Sequence, residues 1–205
     1  IAAAIAEDPN PVVAGSGFHL LRAAGIEVAL DPALAAGAEE LNLPFFHYMR
    51  NGAPLVMLKS AMTLDGKIAT PEDNSGWITS ERARAHVQQV RHLHDAILTG
   101  IGTVLSDDCL LTDRSGLERS RPLLRIVMDS LLRLPVSSKM VETCRKDVLA
   151  VCTSIAPAHR REALEKHGVE VLIADGPGGR PSFRRLVEVL AERRYLSLMI
   201  EAGSK

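Results

Sequence analysis

Aromatic side chains make up only 3% of this 205-residue sequence, with a single tryptophan, so its core has to be aliphatic. Cysteine is as scarce. Cys109, Cys144 and Cys152 form neither an even set nor a CxxC pair, which argues against a disulfide framework or a cysteine zinc site and fits a reducing, cytoplasmic setting. An excess of one charge is also missing, since 24 Lys and Arg face 25 Asp and Glu. Nothing in that balance points to nucleic acid or an anionic membrane, and an anionic ligand must be met by basic residues placed locally. No apolar run approaches the roughly 20 residues of a bilayer span. The run from Ile1 to Ala6 lacks the basic flank of a signal peptide, and the first residue is not methionine; the expectation is a chain that begins partway through something larger. No repeat of solenoid length is present.

What is present reads as two blocks. In the first, Asp8-Pro9-Asn10-Pro11 is a turn, Gly17 to Ala24 a short helix stopped by Gly25, Ile26 to Leu30 a strand, and Pro32 to Leu43 a second helix leading to Phe45-Phe46. Residues 51–54, Asn-Gly-Ala-Pro, are the joint. The second block, residues 55–205, alternates strands at Leu55 to Lys59, Ala96 to Thr99, Leu124 to Met128, Val148 to Thr153, Val169 to Ala174 and Leu196 to Ile200 with helices at Ser80 to Leu93, Pro157 to His167 and Pro181 to Arg194. That alternation predicts an α/β domain with a mostly parallel sheet, in which ligands gather beyond the carboxyl ends of the strands. The residues there are small, polar or acidic: residues 100–103, Asp129-Ser130, Thr153-Ser154, Asp175-Gly176 and residues 201–204.

Each chemical signal has a plain structural counterpart. Gly100-x-Gly102 after a strand suits close approach to a pyrophosphate, but the third glycine of the dinucleotide fingerprint is replaced by Leu105, and a simple strand-to-helix turn explains it as well. Arg84, Gln88 and Arg91 share one helix face; the two arginines either clamp a phosphate or are solvated, and composition does not choose. His92-x-His94 diverges on a helix end, so ordinary surface or core histidines are the better reading than a metal pair. Arg119, Arg121 and Arg125 have no interleaved aromatics and read as a solvated basic loop rather than a nucleic-acid patch. Trp77, in a segment of small residues, either stacks on a cofactor or fills the core.

Taken in order, Lys59-Ser60-Ala61-Met62-Thr63-Leu64-Asp65-Gly66-Lys67-Ile68, Ser75-Gly76-Trp77-Ile78-Thr79, Thr99-Gly100-Ile101-Gly102-Thr103-Val104-Leu105-x-Asp107-Asp108, Leu111-Thr112-x-Arg114, Arg125-Ile126-Val127-Met128-Asp129 and Ile200-Glu201-Ala202-Gly203 resemble the reductase domain of the bifunctional riboflavin-biosynthesis deaminase/reductase family. Glu7-Asp8-Pro9-Asn10-Pro11 and Leu21-Arg22-Ala23-Ala24-Gly25-Ile26 resemble the end of the same family's deaminase domain. The resemblance implies a dihydrofolate-reductase-like domain over residues 55–205, cut short at its carboxyl end, preceded in residues 1–50 by the remnant of a cytidine-deaminase-like α/β domain. It implies NADPH as hydride donor and reduction of the ribosyl group of 5-amino-6-(5-phosphoribosylamino)uracil to the ribitylamino product.

Carried over by position, Ala61, Trp77, Thr103, Asp107, Ser130 and Gly203 would contact the cofactor, and Ser75, Arg91, Leu111, Arg114 and Glu201 the phosphorylated ribosylaminopyrimidine. Lys59 and Glu201 are the catalytic candidates. Zinc would belong only to the missing deaminase part, because no HxE with PCxxC occurs here and no metal site is expected. Cys109 stands where the family commonly has proline, which would loosen the turn that aims Leu111 and Arg114. The end at Lys205 puts the cofactor loop after Gly203 and any homo-oligomer contact in question. The alternatives are a non-catalytic fragment, which need not bind NADPH, or a standalone reductase of the same fold acting on a related ribosylaminopyrimidine.

Overall fold

The computed structural model describes residues 2–4, 7–68, 78–201 and 203. Ser75, Trp77, Ala202 and Ser204, all singled out above, lie outside them. The chain divides into two compact units, Ile1–Leu55 and Val56–Lys205.

In the first unit, β1 (Ala2–Ala4) pairs in parallel with β2 (Val28–Leu30), and α1 (Ser16–Ala23) precedes β2. Helix α2 (Pro32–Leu41) starts on Asp31, whose carboxylate accepts the Ala33 N–H at 2.9 Å, with proline in the first turn where no amide is needed. A further helix, α3 (Leu43–Asn51), occupies the stretch around Phe45 and Phe46 for which no element was expected. The Asn51-Gly52 pair taken as part of the joint ends this helix, with Gly52 at φ 63 as its left-handed cap. Glu39 and Arg50 join α2 to α3 through two hydrogen bonds, 2.6 and 3.0 Å.

The second unit contains β3 (Leu55–Lys59, whose first residue closes the first unit), α4 (Glu81–His92), β4 (Ala96–Gly100), α5 (Ile101–Asp107), β5 (Leu124–Met128), α6 (Lys139–Glu142), β6 (Val148–Cys152), α7 (Ala158–Lys166), β7 (Glu170–Ile173), α8 (Phe183–Glu192) and β8 (Ser197–Glu201). They form an α/β domain around a six-stranded sheet of order β3-β8-β4-β5-β6-β7, with β4 parallel to both β5 and β8, and β6 parallel to β5 and β7. Runs such as Ala96 to Thr99 and Val148 to Cys152 are buried throughout because helices cover both faces. On one face Ile97, Val127 and Ala150 pack with Val104, Met140 and Leu164; on the other Leu98, Ile126, Leu149 and Val151 meet Leu186 and Leu190 of α8. Each such valine, leucine, isoleucine or methionine side chain contributes roughly 1.5 to 3 kcal/mol.

The chain proceeds outward from β4 through β7 and then returns, placing β8 on the other side of β4. This reversal is the switch point at which open α/β sheets form a crevice. Asp95 fixes the return: its Oδ2 accepts the Leu196 N–H at 2.6 Å and its own N–H donates to Ser197 Oγ at 3.0 Å, which sets Leu98 opposite Ile200. Glu201 and Gly203 therefore emerge beside residues 100–103.

Three arginines differ from expectation. Arg119 donates to the Arg91, His92 and His94 carbonyls that end α4, and Arg121 caps the Arg193 and Arg194 carbonyls after α8 while lying 3.5 Å over the Tyr195 ring. Arg125, 1% exposed, binds Asp147 through two hydrogen bonds. The basic run is a set of internal fasteners, not a solvated loop, because its guanidiniums find carbonyls that no helix turn satisfies.

Candidate active site

Lys59 ends β3 and Glu201 ends β8, and adjacency of the two strands brings them together with Lys59 Nζ 3.6 Å from Glu201 Oε2. Arg91, in the last turn of α4, completes the group. Its Nε donates to Glu201 Oε1 at 2.7 Å, its Nη2 to Oε2 at 2.9 Å, and its Nη1 to the Thr112 carbonyl at 3.0 Å. The side chains of Arg91 and Glu201 are 10% and 12% exposed, that of Lys59 29%. Burial alone would push the Glu201 carboxyl upward, but the hydrogen bonds and charge of Arg91 and the charge of Lys59 outweigh it and hold the group below the ordinary carboxylate range. The bidentate geometry suits guanidinium and carboxylate. Arg91 thus does not present its charge to solvent, whereas the Arg114 side chain is exposed and makes no ion pair among the described residues.

Leu111 is buried at 4% in the hydrophobic core, with φ 49. A left-handed conformation costs an L-residue about 1 to 2 kcal/mol, so this backbone is held against its preference. Cys109 sits half-buried in the same loop; burial, and then the charge of Asp107, push its thiol up to about 11. It is a packing residue there rather than a nucleophile.

Toward the other side of β8, a Cβ added at Gly203 would approach Thr103 Oγ1 to 3.0 Å, while Cβ atoms at Gly100 and Gly102 would meet open space. Thr103 and Gly203 are therefore brought together, and the missing side chains at 100 and 102 leave the rim between β4 and β8 low enough for an extended ligand. Ser130, beyond β5, is half-buried, and its carbonyl accepts the Thr153 N–H and hydroxyl at 3.2 and 2.8 Å. Asp107 is exposed at the end of α5, accepting from Ser106 Oγ at 2.7 Å, and Ala61 is half-buried in the turn after β3.

A cavity of about 220 Å³ opens beyond β6 between Leu132, Thr153, Ser154, Ala156 and Arg161. The Ser154 N–H and hydroxyl both turn to Asp175 Oδ1, at 2.8 and 3.2 Å, so neither hydroxyl of Thr153-Ser154 points freely into it. Arg161 is the basic group on its wall.

His92 and His94 do not converge: His92 Nδ1 lies 2.8 Å from Asp113 Oδ2 and His94 Nδ1 lies 2.7 Å from the Val90 carbonyl. Among the described residues no group of His, Cys, Asp and Glu is arranged to hold a metal, and no helix is long and apolar enough to cross a membrane. Sequence reasoning overlooked Gln88 and Asp113 as parts of the site. Gln88 was visible only as a neighbour of Arg91 on one helix face, and Asp113 carried no signal at all.

Comparison with known proteins bears on the family and the fold. Residues 54–205 match the family model described as the RibD C-terminal domain. The chain is 41% identical over 197 residues to the riboflavin biosynthesis protein RibD of Actinobacillus pleuropneumoniae, covering 96% of this chain and 52% of that protein. The Acinetobacter baumannii RibD structure superposes with a TM-score of 0.82 at 34% identity, over 98% of this chain and 54% of that one. A Thermotoga maritima diaminohydroxyphosphoribosylaminopyrimidine deaminase/5-amino-6-(5-phosphoribosylamino)uracil reductase gives 0.80 at 32% identity, over 99% and 54%. The chain spans about half the length of the relatives it matches.

Proposed function

The chain belongs to the family of the RibD C-terminal domain, and from that membership we propose that it reduces the ribosyl group of 5-amino-6-(5-phosphoribosylamino)uracil to the ribitylamino product with NADPH. The observation that carries this reading is the buried array of Arg91, Glu201 and Lys59 at the switch-point crevice, next to the Thr103 and Gly203 contact. When bound, the cofactor supplies a hydride. Residues of the chain do the rest.

A ribosylamine offers C1' for reduction only once its ring opens, which places a proton on the ring oxygen and takes one from the nitrogen. Lys59 has N–H donors for the first task, and Glu201, ionised and an acceptor only, takes the proton that leaves the nitrogen and returns it to that nitrogen as C1' is reduced, so that the open-chain imine ends as the secondary amine. Arg91 keeps Glu201 ionised and fixed. Arg114, exposed and without an ion pair among the described residues, is then assigned to the substrate phosphate, with Leu111 also on the substrate side and Ser75, outside the described residues, joining them on the family resemblance alone. Ala61, Thr103, Asp107, Ser130 and Gly203 are assigned to the cofactor side, and Trp77, outside the described residues, joins them on the family resemblance alone. Residues 1–50 serve as the end of a deaminase domain, and no HxE with PCxxC zinc set occurs among these 205 residues.

Arg114→Ala should raise the substrate KM by about 10- to 100-fold, the equivalent of roughly 1.5 to 3 kcal/mol for a charge-assisted contact, with little change in kcat. Steady-state oxidation of NADPH at varied substrate checks this, and an unchanged KM removes Arg114 from the phosphate site. NADPH should bind at least about tenfold more tightly than NADH, with Arg161 the cation beside the cavity that receives the additional phosphate. Nicotinamide fluorescence titrations with both cofactors decide it; equal dissociation constants would defeat the cofactor assignment and favour a non-catalytic fragment if neither binds.

A further inference from the structure

Residues 109–123 connect α5 to β5 without a helix, a strand or a single main-chain to main-chain hydrogen bond among the described residues. A connection of that length with no internal structure of its own is held by something else. Side chains of α4 hold it. Gln88 Oε1 accepts the Arg114 N–H at 3.0 Å, Arg91 Nη1 donates to the Thr112 carbonyl at 3.0 Å, and His92 Nδ1 faces Asp113 Oδ2 at 2.8 Å. Asp113 also receives Arg119 Nη1 at 3.1 Å and the Ser115 N–H at 2.9 Å. Three consecutive loop residues are thus gripped by three residues on one stretch of α4. Leu111, just before these three residues, has a left-handed backbone at φ 49, which an L-residue adopts only at a cost.

Arg91 is committed to Glu201, and Asp113 is buried within its own network. Gln88 is the grip that touches Arg114 itself and nothing in the charged array. We propose that Gln88 is a positioning residue for the reduction: by accepting the Arg114 amide it aims that guanidinium at the substrate phosphate, independently of the turn at Cys109. The inference rests on reading Arg114 as the phosphate ligand. A glutamine on a half-exposed helix face is otherwise free to vary, and only its acceptor oxygen matters to this role.

The test compares Gln88→Leu, which removes the acceptor, with Gln88→Glu, which keeps it. Gln88→Leu should raise the substrate KM by about 5- to 30-fold with kcat within about twofold and the NADPH dissociation constant unchanged. In an Arg114→Ala background the same substitution should add less than about twofold, because its effect passes through that side chain. Amide exchange in residues 112–115 should be at least about tenfold faster in Gln88→Leu and close to the parent in Gln88→Glu. Unchanged exchange, a fall in kcat that matches the change in KM, or a full effect in the Arg114→Ala background would overturn the proposal. If Arg114→Ala leaves KM unaltered, the phosphate assignment is what fails, and the exchange measurement still decides whether Gln88 sets the loop.

Discussion

Glu201→Gln should lower turnover by roughly 100-fold or more, the scale on which a positioned acid or base contributes. The substitution keeps the shape of the side chain and removes its charge. Two cations, Arg91 and Lys59, then face one another across a neutral amide in a crevice where each is at most about a third exposed, and a low-dielectric setting magnifies the loss. Lys59 would no longer be drawn toward the reacting sugar. Lys59→Ala should depress kcat as well, while NADPH binding, proposed on the opposite side of β8, should stay close to the parent value. Single-turnover oxidation of NADPH with saturating substrate measures the step, and full turnover in both variants would remove the pair from the mechanism. The same carboxylate links stability to pH. Because its folded value lies below the ordinary one, its contribution is complete above the usual carboxylate range and disappears as pH falls through the lowered value.

The second large effect belongs to Arg125→Met, which should cost about 3 to 5 kcal/mol of stability, the range for breaking a buried ion pair from one side. Arg125 is 1% exposed on β5. Its Nε and Nη2 bind Asp147 at 3.0 and 2.9 Å, its Nη1 holds the Leu110 carbonyl at 3.2 Å and Thr143 Oγ1 at 3.0 Å, and Nη2 also reaches the Thr143 carbonyl at 3.2 Å. Methionine fills much of the volume but leaves a carboxylate and two carbonyls without their donor. Arg125→Lys should recover little, since one ammonium cannot reproduce the forked geometry. For a unit of this size the loss corresponds to roughly 10 °C in Tm. A thermal melt within about 2 °C of the parent would show that these contacts are not what holds the segment before β6.

The strands of the second unit were legible because each is a short, continuous aliphatic run, and Leu55–Lys59 and Leu124–Met128 begin and end where the pattern places them. Helix α3 was not, since Asn51-Gly52 signals a turn equally whether it joins blocks or caps a helix. Helix α6 escaped because four residues hold barely one turn and no period. Within the candidate site, Lys59, Glu201 and Arg91 were each visible at a strand or helix end, but their meeting depends on β8 lying between β3 and β4. Strand order is a long-range property that local patterning does not carry. The arginines at 119, 121 and 125 show the same limit: their charge is plain in the sequence, while the carbonyls they serve come from elements far away along the chain. Gln88 was placed on the correct face beside Arg91, yet nothing local marks a glutamine as the partner of a backbone amide 26 residues on.

The position of β8 has a bearing on how the molecule comes into being on the ribosome. Strands β4 to β7 meet their neighbours in the order of synthesis, each soon after it emerges. Strand β3 is made before all of them and pairs with β8, so its inner edge stays unsatisfied until Ser197 to Glu201 have been added. Through that interval the vacant flanks of β3 and β4 are hazards for pairing with the wrong chain. Closing the gap is also the act that delivers Glu201 to Lys59 and Arg91. A nascent chain therefore passes from an adhesive intermediate to a molecule with its charge array assembled in one insertion event, and slow delivery of β8 would appear first as aggregation rather than as partial activity.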